Sequence, residues 1–141
     1  METDRVNILP ELTYAILGSA FTVHRELGPG LLESTYRECL VHQLRIDGLE
    51  AVAERPIPLV YKGLPLAAPY RADLVVESKV LVELKAVDAL LPVHWSQTLT
   101  YLKLARLPVG LLINFNEKSL KKGIKRFVNA QAIPATSAIA S

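Results

Sequence analysis

The chain has 141 residues, half of them hydrophobic, a formal net charge of +2 and a single cysteine, Cys39. That is one domain with a real core. No apolar run approaches the roughly 18 residues needed to span a membrane, and the polar, Pro-broken N-terminus is unlike a signal peptide. One cysteine excludes an intramolecular disulfide framework and fits a reducing, cytoplasmic setting, and a charge of +2 permits an anionic partner without arguing for one.

Residues 1–7 read as a loose arm. Pro10 suits a first helical turn, and Leu12, Ile16, Ala20, Val23 and Leu27 recur at helical spacing until Gly28-Pro29-Gly30 breaks the helix. A second helix is expected from about Leu31 to Ile46, closed by Asp47-Gly48, with Glu33, Tyr36 and Arg37 at i, i+3 and i+4 on one face. An acid at its start has an ordinary explanation in the helix dipole. Val52–Glu54 begins an irregular extended stretch, which Pro56 and Pro58 confine to a sheet edge, and Lys62-Gly63 makes a turn.

The most informative stretch is Tyr70–Val87, which reads as two strands joined at Glu77-Ser78-Lys79. Its aliphatic runs suit strands covered on both faces, yet they contain Asp73, Glu83 and Lys85. Unpaired buried charges are expensive, so these three must satisfy one another or something bound. Glu83 and Lys85 share a face by alternation, and a turn centred on Ser78 sets Asp73 opposite Glu83, with Cβ atoms about 4.5–5.5 Å apart. Two carboxylates that close need a cation or a shared proton. The competing reading is a structural Glu-Lys pair with an unrelated Asp at a strand end.

A helix follows from about Val93 to Arg106, with Trp95, Leu99, Leu102 and Leu104 as its buried side and His94, Gln97 and Tyr101 on another stripe. Val109–Phe115 is a short apolar strand, so the sheet is mixed and flanked by helices. Lys118–Asn129 reads as an amphipathic helix, with Lys118, Lys121, Lys122, Lys125 and Arg126 on a basic stripe able to track a phosphate backbone. A solvated helix face explains that stripe equally simply. Residues 130–141 lack periodicity and read as a disordered tail.

Together these motifs resemble known proteins. GLLESTY at Gly30–Tyr36 resembles the signature of the GxxExxY protein family, itself similar to the PD-(D/E)XK nuclease superfamily. LGPGLLEST, YRADLVVE, VELKAV and GLLINF, in that order, extend the similarity over residues 8–129, the expected single domain. The resemblance implies an α/β fold with an αβββαβ core, carrying an extra N-terminal helix and a C-terminal amphipathic helix. It implies that Asp73 is the motif aspartate and that Glu83 and Lys85 form the E-x-K around Leu84. It further implies that Glu33 is the first-helix glutamate, and that Gln97 with Tyr101 forms a Q-x-x-x-Y element. Ala72 departs from the family name by replacing its proline.

The implied catalytic set is Glu33, Asp73, Glu83, Lys85 and Gln97, supported by Tyr36, Arg71 and Tyr101. Mg²⁺ or Mn²⁺ would be held by Asp73, Glu83 and the Leu84 backbone carbonyl, with Glu33 holding a second ion or acting through water. The expected activity is metal-dependent hydrolysis of phosphodiester bonds in DNA. The alternative is a non-catalytic nucleic-acid-binding or protein-interaction module on a nuclease fold. Dimerisation would enlarge the binding surface, and the sequence leaves it undecided.

Overall fold

Pro10 starts helix α1 (Pro10–Leu27), where its missing N–H is no loss. The helix stops at Gly28, whose positive φ of 68° is open to glycine and whose N–H bonds the His24 carbonyl. Helix α2 (Glu33–Ile46) begins five residues later, with Glu33 as its first residue. The link between the helices is fixed by Tyr36, which is fully buried. Its hydroxyl donates to the Gly28 carbonyl at 2.6 Å and accepts from the Leu31 N–H at 3.1 Å. Its ring stacks on Phe115, with centroids 4.8 Å apart. The computed structural model describes residues 9–67 and 70–132.

Among the described residues seven strands follow: β1 (Ala51–Pro56), β2 (Leu59–Tyr61), β3 (Leu64–Leu66), β4 (Arg71–Val76), β5 (Val80–Lys85), β6 (Val109–Asn114) and β7 (Ile124–Val128). Five form one sheet in the order β1-β4-β5-β6-β7, and β2 with β3 makes a separate hairpin around Lys62-Gly63. Pro56 lies on the edge strand, as the missing ladder donor requires. Only β5 and β6 run parallel, joined by helix α3 (Pro92–Ala105). The fold is therefore the expected mixed α/β arrangement. Helices α1 and α2 cover one face through Ile16, Ala20, Leu40 and Leu44 against Leu74, Val82, Leu84, Leu111 and Ile113. Helix α3 covers the other through Leu102 against Val75 and Leu81.

The expected helix over Lys118–Asn129 does not form. A short 3₁₀ turn, Leu120–Gly123, leads instead into β7, which pairs antiparallel with β6. All six residues of β6 are buried, so its outer backbone edge needs ladder partners that a helix could not offer. Ile124, Phe127 and Val128 fit either periodicity over so short a run, and the unpaired edge decides between them. Alternation then sends Lys125 and Arg126 to opposite faces, and the basic stripe is lost. Ordered structure also continues past residue 129, with Asn129 buried and a 3₁₀ turn at Ala130–Ala132. The expected arm and the rest of the expected tail lie outside the described residues.

Candidate active site

The β4–β5 hairpin is registered as Val76↔Val80, Val75↔Leu81 and Leu74↔Val82, so the turn centres on Ser78 as its residues predict. Glu77 and Ser78 both take positive φ, at 53° and 55°. The next step along this register brings Asp73 to Glu83, and there side chains take over from the ladder. The Asp73 N–H donates to Glu83 Oε1 at 3.0 Å, and the Leu84 N–H donates to Asp73 Oδ2 at 2.8 Å. Backbone groups alternate sides along a strand, so the Leu84 carbonyl faces the same side as its N–H, toward Asp73.

Glu83 is only 4 % exposed. Burial first, and then the charge of Asp73, pushes its carboxyl up to about 8, and a carboxyl–carboxyl hydrogen bond with Asp73 adds to the rise. Lys85 follows on the same face of β5 and pulls the other way, as does the bond from the Asp73 N–H. The fold thus favours the protonated form of Glu83, which relieves the pair where no cation is bound.

Glu33 joins them from the first turn of α2. Its carboxyl is raised by partial burial and by the charge of Asp73, against the lowering influence of Lys85, Arg37 and His94. One turn later on α2, Arg37 reaches Asp73 Oδ1 at 3.3 Å and Glu54 at 3.8 Å. From α3, Gln97 donates to the Tyr101 hydroxyl at 3.1 Å. The Tyr101 phenol is raised by burial and by the charges of Glu83 and Asp73, with Gln97 opposing. Glu33, Asp73, Glu83, Lys85 and the Gln97–Tyr101 pair therefore occupy one neighbourhood, built from α2, β4, β5 and α3.

Other expected participants sit elsewhere. Tyr36 points into the core and shapes the loop before Glu33. Arg71 is exposed and reaches the Glu54 carbonyl at 3.4 Å. Trp95 is 39 % exposed rather than buried, and the Lys125 ammonium lies 4.3 Å from its ring centroid. Lys125 is registered to Leu112 and Leu112 to Glu83, so Lys125 shares the acids' face two strands away, about 10 Å. Lys118, Lys121 and Lys122 lie in or beside the 3₁₀ turn, with Lys121 beside Tyr14 and Phe21 of α1.

Three contributors were not anticipated. Arg37 was placed on the Glu33 face, but its partner on another strand is not legible from helical spacing. His94 is held by its Nδ1, which accepts the Leu91 N–H at 2.9 Å, leaving Nε2 to carry the proton of the neutral ring. Asn114 is buried, and its amide bonds the Val87 N–H and carbonyl at 3.1 and 2.8 Å, pinning the chain just beyond Lys85. A polar residue closing an otherwise apolar strand was its only signal.

Among the described residues, no three His, Cys, Asp or Glu side chains converge as a preformed metal cage. The donor chemistry nevertheless fits a hard divalent cation, because two neighbouring carboxylates, one of them buried and pushed toward its protonated form, present oxygen ligands and an unmet demand for positive charge. No helix among the described residues is long and apolar enough to cross a membrane. The family model described as the PD-(D/E)XK nuclease superfamily matches residues 10–127. No curated protein and no solved structure matches the chain.

Proposed function

This chain belongs to the PD-(D/E)XK nuclease superfamily, and from that premise we propose that it is a Mg²⁺- or Mn²⁺-dependent nuclease hydrolysing phosphodiester bonds in DNA. Within the superfamily we place it in the GxxExxY group, because Gly30, Glu33 and Tyr36 lie on the loop and helix start that bring Glu33 toward the acids. The observation that carries the reading is the Asp73–Glu83 pair, each carboxylate accepting a backbone N–H from the other's strand, with Lys85 next along the same face.

Asp73, Glu83 and the Leu84 carbonyl would hold the ion, and Glu33 would reach it, or a second one, through water. When bound, such an ion lowers the pKa of a coordinated water and neutralises charge on the scissile phosphate. Lys85 offers an ammonium to the attacking water or to the phosphoryl oxygens, where negative charge grows in the transition state. Gln97, steadied by Tyr101, orients the water or the phosphate. Arg37 fixes the Asp73 carboxylate, and Lys125 gives the strand a cation on the same face.

The test is cleavage of labelled linear, circular and branched DNA in Mg²⁺, Mn²⁺ or EDTA, beside Asp73→Ala. Metal-dependent cutting that the variant loses is the expected result. Lys85→Ala should abolish cutting while leaving metal and DNA binding largely intact. Loss of DNA binding equal to the loss of cutting would refute that role for Lys85.

A further inference from the structure

We infer that the groove between α3 and the start of β4, lined by Leu59, Tyr70, Val93, Gln97, Tyr101 and Leu104, is a subsite for one unpaired nucleobase of a strand whose phosphate lies at the acids. The inference rests on the nuclease reading, and it adds a substrate class: single strands, or ends frayed enough to release a base.

The groove has a volume of about 440 Å³, within the range of pockets that take small planar ligands. Its walls are mostly apolar, and two phenol rings stand in it with centroids 5.9 Å apart at 55°. Tyr70 and Val93 are 40 % and 64 % exposed, so the walls are open to a ligand. Ser96 and Thr100 add hydroxyls at the rim, and Gln97 adds an amide, all on one stripe of α3. Such a surface suits a heteroaromatic ring with polar edges better than a charged group, since no ionised side chain lines it. Lys125 occupies one face of Trp95, whereas Tyr70 and Tyr101 line the groove itself.

Continuity with the acids identifies the ligand. Tyr101 lines the groove and packs at an angle against Tyr70, three residues before Asp73 where the chain enters β4, and Gln97 is bonded to it. A nucleotide with its phosphate at the acids therefore has this groove as its neighbouring apolar surface. A base stacked within a duplex cannot enter without leaving the helix, whereas a single strand presents its bases at little cost. Recognition by ring faces is tolerant of sequence.

The experiment uses the full chain with single-stranded oligonucleotides carrying one abasic residue, walked through the positions flanking the cut. Tyr70→Ala removes a ring face, Tyr70→Phe restores it, and Val93→Trp fills the groove from an exposed position. Tyr70→Ala and Val93→Trp should raise KM for single strands by about 5- to 150-fold at unchanged kcat, the range expected for losing one base–aromatic stack, while Tyr70→Phe stays near wild type. An abasic residue at one position should reproduce that rise in the wild type and add nothing in Tyr70→Ala. Equal cutting of intact and abasic strands at every position overturns the subsite while leaving the nuclease reading in place. If the wild type cuts nothing in Mg²⁺ or Mn²⁺, the nuclease reading fails, and 2-aminopurine fluorescence decides the subsite alone. Quenching on binding that Tyr70→Ala removes supports it, and unquenched fluorescence overturns it.

Discussion

Replacing Glu83 by Gln should make the metal-free protein more stable at alkaline pH and leave it unchanged near pH 5. An ordinary glutamate loses its proton near 4.5, whereas Glu83 in the fold keeps it up to about 8. Below 4.5 the folded and unfolded chains both carry that proton, and pH has no leverage through this group. Between 4.5 and about 8 only the folded chain retains it, so each rise in pH favours unfolding, and above about 8 the full cost is present. At about 1.4 kcal/mol per pH unit, the gap sets a ceiling of about 5 kcal/mol, or about 15–20 °C in Tm for a domain of this size. Gln copies the neutral acid: its carbonyl can accept the Asp73 N–H, and its amide can donate to the Asp73 carboxylate. Thermal melts of both proteins in EDTA from pH 5 to 9 should therefore start together and diverge, with the wild type falling. Adding Mn²⁺ at pH 8 should recover the wild type, as any ligand of the folded state does, and do little for the variant. Parallel pH profiles would refute the raised Glu83 carboxyl, and with it the argument that a cation has a proton to replace.

Arg37→Ala removes the cation beside Asp73 and should cost on the order of 1–3 kcal/mol at pH 8 in EDTA. Saturating Mn²⁺ should shrink that loss; an equal loss with and without the ion would sink the link between Arg37 and the acids. Tyr36→Phe strips a buried hydroxyl from the Gly28 carbonyl and Leu31 N–H and should cost about 1–3 kcal/mol by denaturant titration. A change below measurement error would mean that the loop before Glu33 is held by something else. Gly123→Ala would place a Cβ 2.7 Å from the Asn114 carbonyl oxygen. Backbone must then shift at the β6–β7 junction, and a Tm equal to that of the wild type would contradict the close approach.

What the sequence made legible depended on how local the deciding interaction was. The central hairpin could be registered from residues alone because its turn is short and its apolar runs are long, and that register carries Asp73 to Glu83. Helix α1 was bounded by Pro10 and Gly28, whose backbone constraints act on themselves. The segment after residue 118 is the counterexample. Its state was decided by β6, a strand already past when the segment begins, whose open edge required a partner. Arg37 and His94 failed to stand out for a similar reason. Each matters through a residue on another element, and helical spacing carries no information about that.

The same physics explains why the acids lie where they do. A regular antiparallel ladder would keep Asp73 and Glu83 as a directly opposed pair of like charges, which costs stability with nothing in return. Here each carboxylate accepts a backbone N–H belonging to the opposite strand, so the strands open while the donors remain satisfied. Strand alternation leaves the Leu84 carbonyl on the acids' side, and Asn114 and the Phe115 N–H, bonded to the Lys85 carbonyl at 2.8 Å, hold β5 in place beyond them. The pair remains short of positive charge even with Arg37 beside it, since Glu83 still holds a proton to about 8. Arg37 reaches only one oxygen of Asp73, at 3.3 Å, and divides itself with Glu54. A second, closer cation therefore has energy to gain in displacing that proton. Its affinity should rise as pH approaches 8, and each ion bound should release close to one proton below that pH. Titration calorimetry of Mn²⁺ binding in two buffers of different ionisation enthalpy at pH 7 measures that proton directly. A count near zero would place the ion away from Glu83.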